Sequence, residues 1–302
     1  MVISNYNYPD FFVVGAAKSG TTTVCNYLNS HDKVFFPKNH QEPHYFSFYG
    51  QKPFYTSSQF TSKMVWQHQE YKELYSSTSV NQCLGDGSTS YLYLSDIAVK
   101  NMKLHYGKRL NQLKILVILR NPVERAISHY NYLLRNGFEN LPFEQAIRPD
   151  IIEKRKKIRW GFDYLEYGNY AEQLKPYLEN FNIIKVIMFD DLKNPNTICQ
   201  ELGSFLGFEA KIISEFPKSN PSGKPIFKGL NHLLLKNPKL KKLSNGIKPR
   251  TRIKLLEYRD KILAKSLVKA QPKPEVLHAL NGYYEHQIVQ LEQLLNIKTG
   301  WL

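Results

Sequence analysis

Hydrophobic positions along this chain fall into two kinds of run. Short stretches at 11–15 (FFVVG), 82–85 (QCLG), 114–119 (KILVIL) and 183–189 (IIKVIMF) are almost continuously apolar. That pattern predicts strands covered on both faces, as in a parallel sheet. Between them, helical spacing appears at 21–30, 57–76, 95–106, 122–136, 163–180 and 196–206. A last helical stretch at 274–297 carries Val276, Leu280, Tyr283, Tyr284, Ile288, Leu291 and Leu295 and is expected to pack back on the body. Start and stop signals agree: Ser95 precedes one helix, Asn121-Pro122 and Asn194-Pro195 open two others, and Gly207 closes the latter. Strands alternating with helices imply βαβ units, with ligands at the carboxyl ends of the strands. The expectation is one α/β domain over 1–302, a three-layer P-loop-like fold with a central parallel β-sheet flanked by helices.

The first strand–loop–helix passage, FFVVGAAKSGTTT, is the most informative. A loop bounded by Gly15 and Gly20 and followed by a helix offers backbone N–H groups and a positive dipole end to an anion. Against the template G-x-x-x-x-G-K-[ST], Thr22 takes the Ser/Thr place. The lysine place, however, is Thr21, and the lysine is Lys18, inside the loop. The cation therefore sits differently from that of a nucleotide hydrolase. A second cluster, LRNPVERAISHY, puts Arg120 at a strand end and Arg125, Ser128 and His129 in the helix that follows. A guanidinium fork on that sheet edge suits phosphate.

Composition narrows the partners only a little. The chain has 41 Lys+Arg against 26 Asp+Glu, a formal charge of +15, which favours anionic ligands without choosing among them. Cys25, Cys83 and Cys199 lack C-x-x-C spacing and read as buried free thiols, with no disulfide framework and no zinc site. No window reaches eighteen apolar residues and the first ten residues are too polar for a signal peptide, so a cytoplasmic protein without an integral membrane segment is expected. Residues 218–273 form a basic Pro/Gly/Lys-rich region, read either as a solvated surface segment or as a lid over an anionic substrate.

GAAKSGTTT followed by RNPVERAISHY resembles the paired cofactor signatures of sulfotransferases that use 3′-phosphoadenosine 5′-phosphosulfate (PAPS). PKNHQEPHYF (37–46), GDGSTSYL (85–92), GNYAEQLKPYLENF (168–181) and the ending LNGYYEHQIVQLEQLLNIKTGW are similar to segments of the heparan-like carbohydrate branch and its bacterial relatives. The resemblance implies that Lys18, Ser19, Gly20, Thr21, Thr22 and Thr23 hold the 5′-phosphosulfate. Arg120 and Ser128 then bind the 3′-phosphate, and Lys224 or Lys228 closes over it. Glu42 becomes the base, with His44 the alternative and His40 nearby. PAPS would be the cofactor, no metal would be required, and the acceptor would be a small molecule or glycan offering a carbohydrate-like hydroxyl. Two positions depart from the pattern: Gln41 and Gly87 stand where the family has lysines, and Lys38 is close enough to replace the first. Tyr45, Phe46, Phe48, Tyr49, Tyr91 and Tyr93 are candidate stacking surfaces for the acceptor.

Two rival readings follow from the same residues. A P-loop kinase or NTPase is prompted by VIMFDD (186–191), which mimics a metal-holding strand end. A polyanion-binding protein is prompted by the charge, but no nucleic-acid-binding motif accompanies it, so no nucleic-acid partner is expected.

Overall fold

The apolar runs become a five-stranded parallel sheet. The computed structural model describes residues 8–38, 40–79, 81–216, 224–225, 267–268 and 270–302. Its strands are β1 (Phe11–Gly15), β2 (Val34–Phe35), β3 (Cys83–Asp86), β4 (Lys114–Leu119) and β5 (Ile183–Met188), in the order β2-β3-β1-β4-β5. Phe11 faces Gly85 of β3 and Lys114 of β4, and β4 runs level with β5 from Lys114 opposite Ile183 to Leu119 opposite Met188. Every residue of β1 is buried, because helices cover both faces.

The helices are α1 (Thr21–Asn29), α2 (Ser58–Thr61), α3 (His68–Glu73), α4 (Ser90–Tyr93), α5 (Ser95–Tyr106), α6 (Pro122–Arg135), α7 (Phe143–Ala146), α8 (Pro149–Arg155), α9 (Tyr170–Asn180), α10 (Pro195–Leu206) and α11 (Pro274–Leu295). Side-chain alternation divides the core in two. Phe12, Val14, Ile115 and Val117 meet Met102 of α5 and Leu174 and Tyr177 of α9. Phe11, Val13, Leu116 and Ile118 meet Val24 and Leu28 of α1 and Cys199 and Leu202 of α10. The three expected layers are thus present. A further pair, β6 (Lys224–Pro225) and β7 (Leu267–Val268), runs antiparallel.

Helix signals hold with one exception. Asn121 accepts N–H bonds from Val123 and Glu124 with Pro122 in the first turn, and Gly207 closes α10 in the left-handed region, φ 88°. Ser95 begins α5 without capping it, since Leu94 occupies that place. The helix expected over 57–76 is two short ones. Between them, Met64 and Val65 turn inward and Val65 donates its N–H to Pro43 O at 2.9 Å, which binds the segment to a neighbouring loop instead. The helix expected over 163–180 begins only at Tyr170. Gly168, just ahead of it, packs where a Cβ would lie 2.7 Å from the Tyr284 ring. The edge strand β2 and the short helices α4, α7 and α8 were not predicted. Cys25 and Cys199 are buried free thiols as expected, whereas Cys83 is only half-buried. Lys228, the side chain of Lys224 and most of the basic run at 236–273 lie outside the described residues.

Gly85 illustrates how tightly β3 is covered. A Cβ there would sit 2.4 Å from Phe11 Cζ and 2.7 Å from Phe36 Cζ. Overpacking of this kind costs about 1–3 kcal/mol. Gly85→Ala is therefore expected to lower the melting temperature by about 2–10 °C in calorimetry.

Candidate active site

The site assembles at the carboxyl ends of β1, β3 and β4. After β1, the loop Ala16–Gly20 turns the chain into α1, whose first intrahelical bond joins Val24 N–H to Gly20 O at 3.1 Å. The N–H groups of Thr21, Thr22 and Thr23 therefore lie ahead of the helical ladder, at its positive end. Gly20 is left-handed, and a Cβ on it would lie 2.7 Å from Leu192 Cδ1. Lys18 is also left-handed, φ 73°, an uncommon conformation for a residue with a side chain. Its ammonium rests 4.2 Å from the centroid of the Tyr132 ring on α6. Burial, then the like charges of Arg135, Arg120 and Arg125, lower its pKa to about 8 against the upward pull of Glu42. Ser19 has a fully buried side chain, and its N–H donates to Ala16 O at 3.1 Å.

Arg120 leaves β4 beside this loop. Its guanidinium reaches Lys18 O at 3.5 Å, pairs with Glu124 at 3.1 and 2.9 Å, and lies over the Phe189 ring at 4.5 Å. Ser128 is half-buried one turn further along α6. Arg125, by contrast, is fully buried, where it donates to Tyr164 O and His129 Nδ1. It stiffens α6 from inside and contributes charge only at a distance.

The Glu42 side of the site is built by two segments that fasten together residue by residue. Gly87 donates its N–H to Gln41 O at 3.0 Å. Thr89 donates its hydroxyl to Glu42 Oε2 at 2.8 Å and its N–H to the same oxygen at 3.5 Å. Ser88 Oγ accepts from His44 N, and Ser90 Oγ bonds His44 Nδ1, both at 2.8 Å. Beneath them lies Asp86, fully buried at the end of β3, which accepts from Tyr71, Tyr91 and both the hydroxyl and N–H of Ser88. Burial raises the Asp86 pKa to about 6 despite those four bonds.

Glu42 and His44 are brought together, with His44 Nε2 3.9 Å from Glu42 Oε2. Glu42 keeps 36% of its side chain accessible. Surrounding protein raises its pKa, while Thr89, Lys18 and Lys63 pull it down. Desolvation drops His44 to about 3, so this imidazole is neutral. The cations acting on Glu42 are thus Lys18 and Lys63; the predicted substitute Lys38 is exposed at the far edge, near β2. At Gly87 a Cβ would already lie 2.9 Å from Cys25 Sγ, so no longer side chain fits.

The predicted stacking surfaces prove mostly internal: Tyr45, Phe46 and Tyr91 are fully buried core residues. The aromatic wall beside His44 comes instead from Trp160, whose ring meets His44 at 5.1 Å and stacks on Phe48 at 5.6 Å, with Tyr55 and Phe60 behind it. Tyr132 was findable, four residues after Ser128 on one helical face. Trp160 and Lys63 were not, since no local pattern ties them to residues 42–44.

Asp86→Asn leaves one acceptor oxygen for four donors, and each buried group left unpaired costs about 1–3 kcal/mol. The expected result is a clear fall in melting temperature, with chemical-shift changes at Ser88, Thr89 and Glu42 in NMR spectra.

Residues 8–250 match the family model described as the sulfotransferase domain. Mouse heparan sulfate glucosamine 3-O-sulfotransferase 3B1 is 23% identical over 97% of this chain and 65% of its own length. The membrane-associated sulfotransferase kil1 of Dictyostelium discoideum is 28% identical over 48% of this chain and 29% of its own length. The chain thus spans less than two thirds of the length of these curated relatives. Among solved structures, a sulfotransferase from Alicyclobacillus acidocaldarius superposes with a TM-score of 0.71 at 23% identity, covering 97% of this chain and 98% of that one. No described helix is long and apolar enough to cross a membrane. By its sequence match over most of its length, with a fold that agrees, this chain belongs to the sulfotransferase domain family.

Proposed function

We propose that the enzyme transfers the sulfuryl group of PAPS to a hydroxyl of a carbohydrate-like acceptor. The observation that carries this is the placement of Lys18 and Arg120 on one loop at a helix N-terminus, the Arg120 guanidinium reaching Lys18 O at 3.5 Å, which calls for a multiply charged anion. The donor set fits such a molecule. Lys18 and the N–H groups of Thr21–Thr23 would hold the 5′ end; Arg120 and Ser128 would hold the 3′-phosphate. The carbohydrate-like acceptor is supported by the heparan sulfate enzymes among the relatives. When bound, PAPS supplies the sulfuryl group and a leaving 5′-phosphate.

Lys18 is suited to neutralise charge growing on that phosphate, because its ammonium is half-desolvated and already within the loop. Glu42 is the better base of the two candidates. A general base works best with a pKa near the working pH. The Glu42 carboxyl is raised towards that range, whereas His44, at about 3, holds a proton too weakly. His44 then serves by positioning: its Nδ1 is engaged by Ser90 and its Nε2 lies beside Glu42. The kinase reading is not favoured. Asp191 accepts from Met188 N and Asp190 pairs with Lys193, so both aspartates serve the local turn.

A bound anion should lift the Lys18 pKa back from about 8, so protonated Lys18 and ligand favour each other. The affinity for 3′-phosphoadenosine 5′-phosphate (PAP) is therefore expected to be level between pH 7 and 8 and to fall above pH 8, by calorimetry. Lys18→Ala is expected to cut kcat by about 10²–10³. Arg120→Ala should weaken PAP by about 10–150-fold while leaving adenosine 5′-phosphate nearly unaffected, as loss of one charge-assisted contact of about 1.5–3 kcal/mol predicts. Glu42→Gln should reduce kcat by about 10²–10⁴ without altering PAP affinity. Equal losses for both nucleotides on Arg120→Ala, or full activity on Glu42→Gln, would overturn the assignments.

A further inference from the structure

Arg159 stands apart from the other arginines near the site. Only 8% of it is exposed, yet its guanidinium forms no ion pair and no hydrogen bond with any described residue, and its Nε is buried without a partner. Its guanidinium contacts are rings: it lies over Phe60 at 4.4 Å and over Phe138 at 4.5 Å. Neighbouring arginines are spent. Arg155 grips Glu139 with two bonds, Arg120 pairs with Glu124, and Arg125 donates to Tyr164 O and His129. A guanidinium removed from water and given no acceptor is costly unless a ligand completes it. Burial accordingly holds its pKa below the ordinary arginine range.

Its position places it beside the acceptor rather than the nucleotide. The next residue is Trp160, whose ring edges His44 next to Glu42. A Cβ on Gly161 would lie 3.3 Å from both Arg159 Nε and His129 Nε2, which sets the guanidinium against α6, the helix whose Tyr132 ring underlies the Lys18 ammonium. The strand-like pairing of Thr56 N–H with Lys157 O and of Ser57 N–H with Ile158 O, both at 3.3 Å, anchors the backbone leading into it. Phe54, 73% exposed and set against Tyr55, marks the rim of the same aromatic wall.

We infer that Arg159 is an anion-binding subsite for the acceptor: it takes a carboxylate or sulfate group that the acceptor carries near the hydroxyl to be modified. The two phenyl rings restrain the fork, so little side-chain freedom is lost when the anion arrives, and a two-point contact fixes the acceptor's orientation at Glu42. A neutral acceptor would leave the guanidinium unpaired, which makes Arg159 a discriminating residue as well as a binding one. This inference rests on the sulfotransferase reading above.

The test uses PAP-saturated full-length protein and three probes that differ at one position: 4-nitrophenyl β-glucoside, the corresponding glucuronide and the glucoside 6-sulfate. Calorimetry is expected to show at least tenfold tighter binding of one acidic probe than of the glucoside, the better of the two identifying carboxylate or sulfate. Arg159→Gln should abolish that preference and Arg159→Lys should retain part of it, with PAP affinity within twofold of wild type in both, which also certifies folding. No acidic preference in the wild type, including no binding of any probe, overturns the inference. So does a preference that survives Arg159→Gln, or a tenfold loss of PAP affinity in that variant, which would move the guanidinium to the nucleotide side. Failure of wild type to bind PAP at all would instead remove the functional reading on which this one stands.

Discussion

The buried carboxylate of Asp86 is the point on which the site's geometry depends. A charge in a fully enclosed position is tolerable only with its lone pairs filled, and four donors fill them. Two of those donors, Tyr71 and Tyr91, are core side chains, so the requirement is enforced by packing on both sides of the 43–75 loop region. The other two belong to Ser88, and through Ser88 the constraint passes to the backbone of His44 and to the Thr89 that grips Glu42. A loop with little regular structure thereby gains the precision of a strand end. Sequence distance is no obstacle to this arrangement, because one acceptor collects donors from positions 71, 88 and 91.

Opposite this carboxylate lies a set of cations with partners of their own. Burial and the like charges of Arg135, Arg120 and Arg125 weigh on Lys18, while Arg120 pairs with Glu124 and Arg125 donates to Tyr164 O and His129. α1 and β4 are secured by packing in the sheet's two cores, and α6 by a separate cluster in which Val123, Tyr130 and Leu133 meet Tyr284 and Ile288 of α11. A loop held from these sides can present its positive charge to an anion without rearrangement of the sheet. The left-handed backbone at Lys18 works in the same sense, since it turns the lysine out of the helical path and over the Tyr132 ring.

Much of this was legible from the chain alone. Continuous apolar runs gave four of the strands because burial on both faces leaves no alternation to misread, and Asn121-Pro122 marked the start of α6 through its capping chemistry. Glycine spacing located the loop between β1 and α1, and Arg120 was legible as the residue that leaves the end of β4. Missed features share one cause: their determinants are tertiary. Residues 62–67 have helical spacing but are drawn away by Pro43. Trp160 reaches His44 from a segment whose sequence carries no periodic or motif signal. Aromatic side chains were visible, yet which ones faced inward was decided by the packing of Tyr45 on Tyr71 and Phe46 on Tyr91.

The strand order has an implication for diversification. β1 lies in the middle, with β4 on one flank and β3 on the other, each about 4.8 Å away. The loop that carries Lys18 and the helix that carries Ser128 emerge from β1 and β4, whereas Thr89, which grips Glu42, follows β3. Substitutions in the loops beyond β3 and on the outer face of α6 are therefore far enough apart for their effects to add, so either flank can be altered with little disturbance of the other.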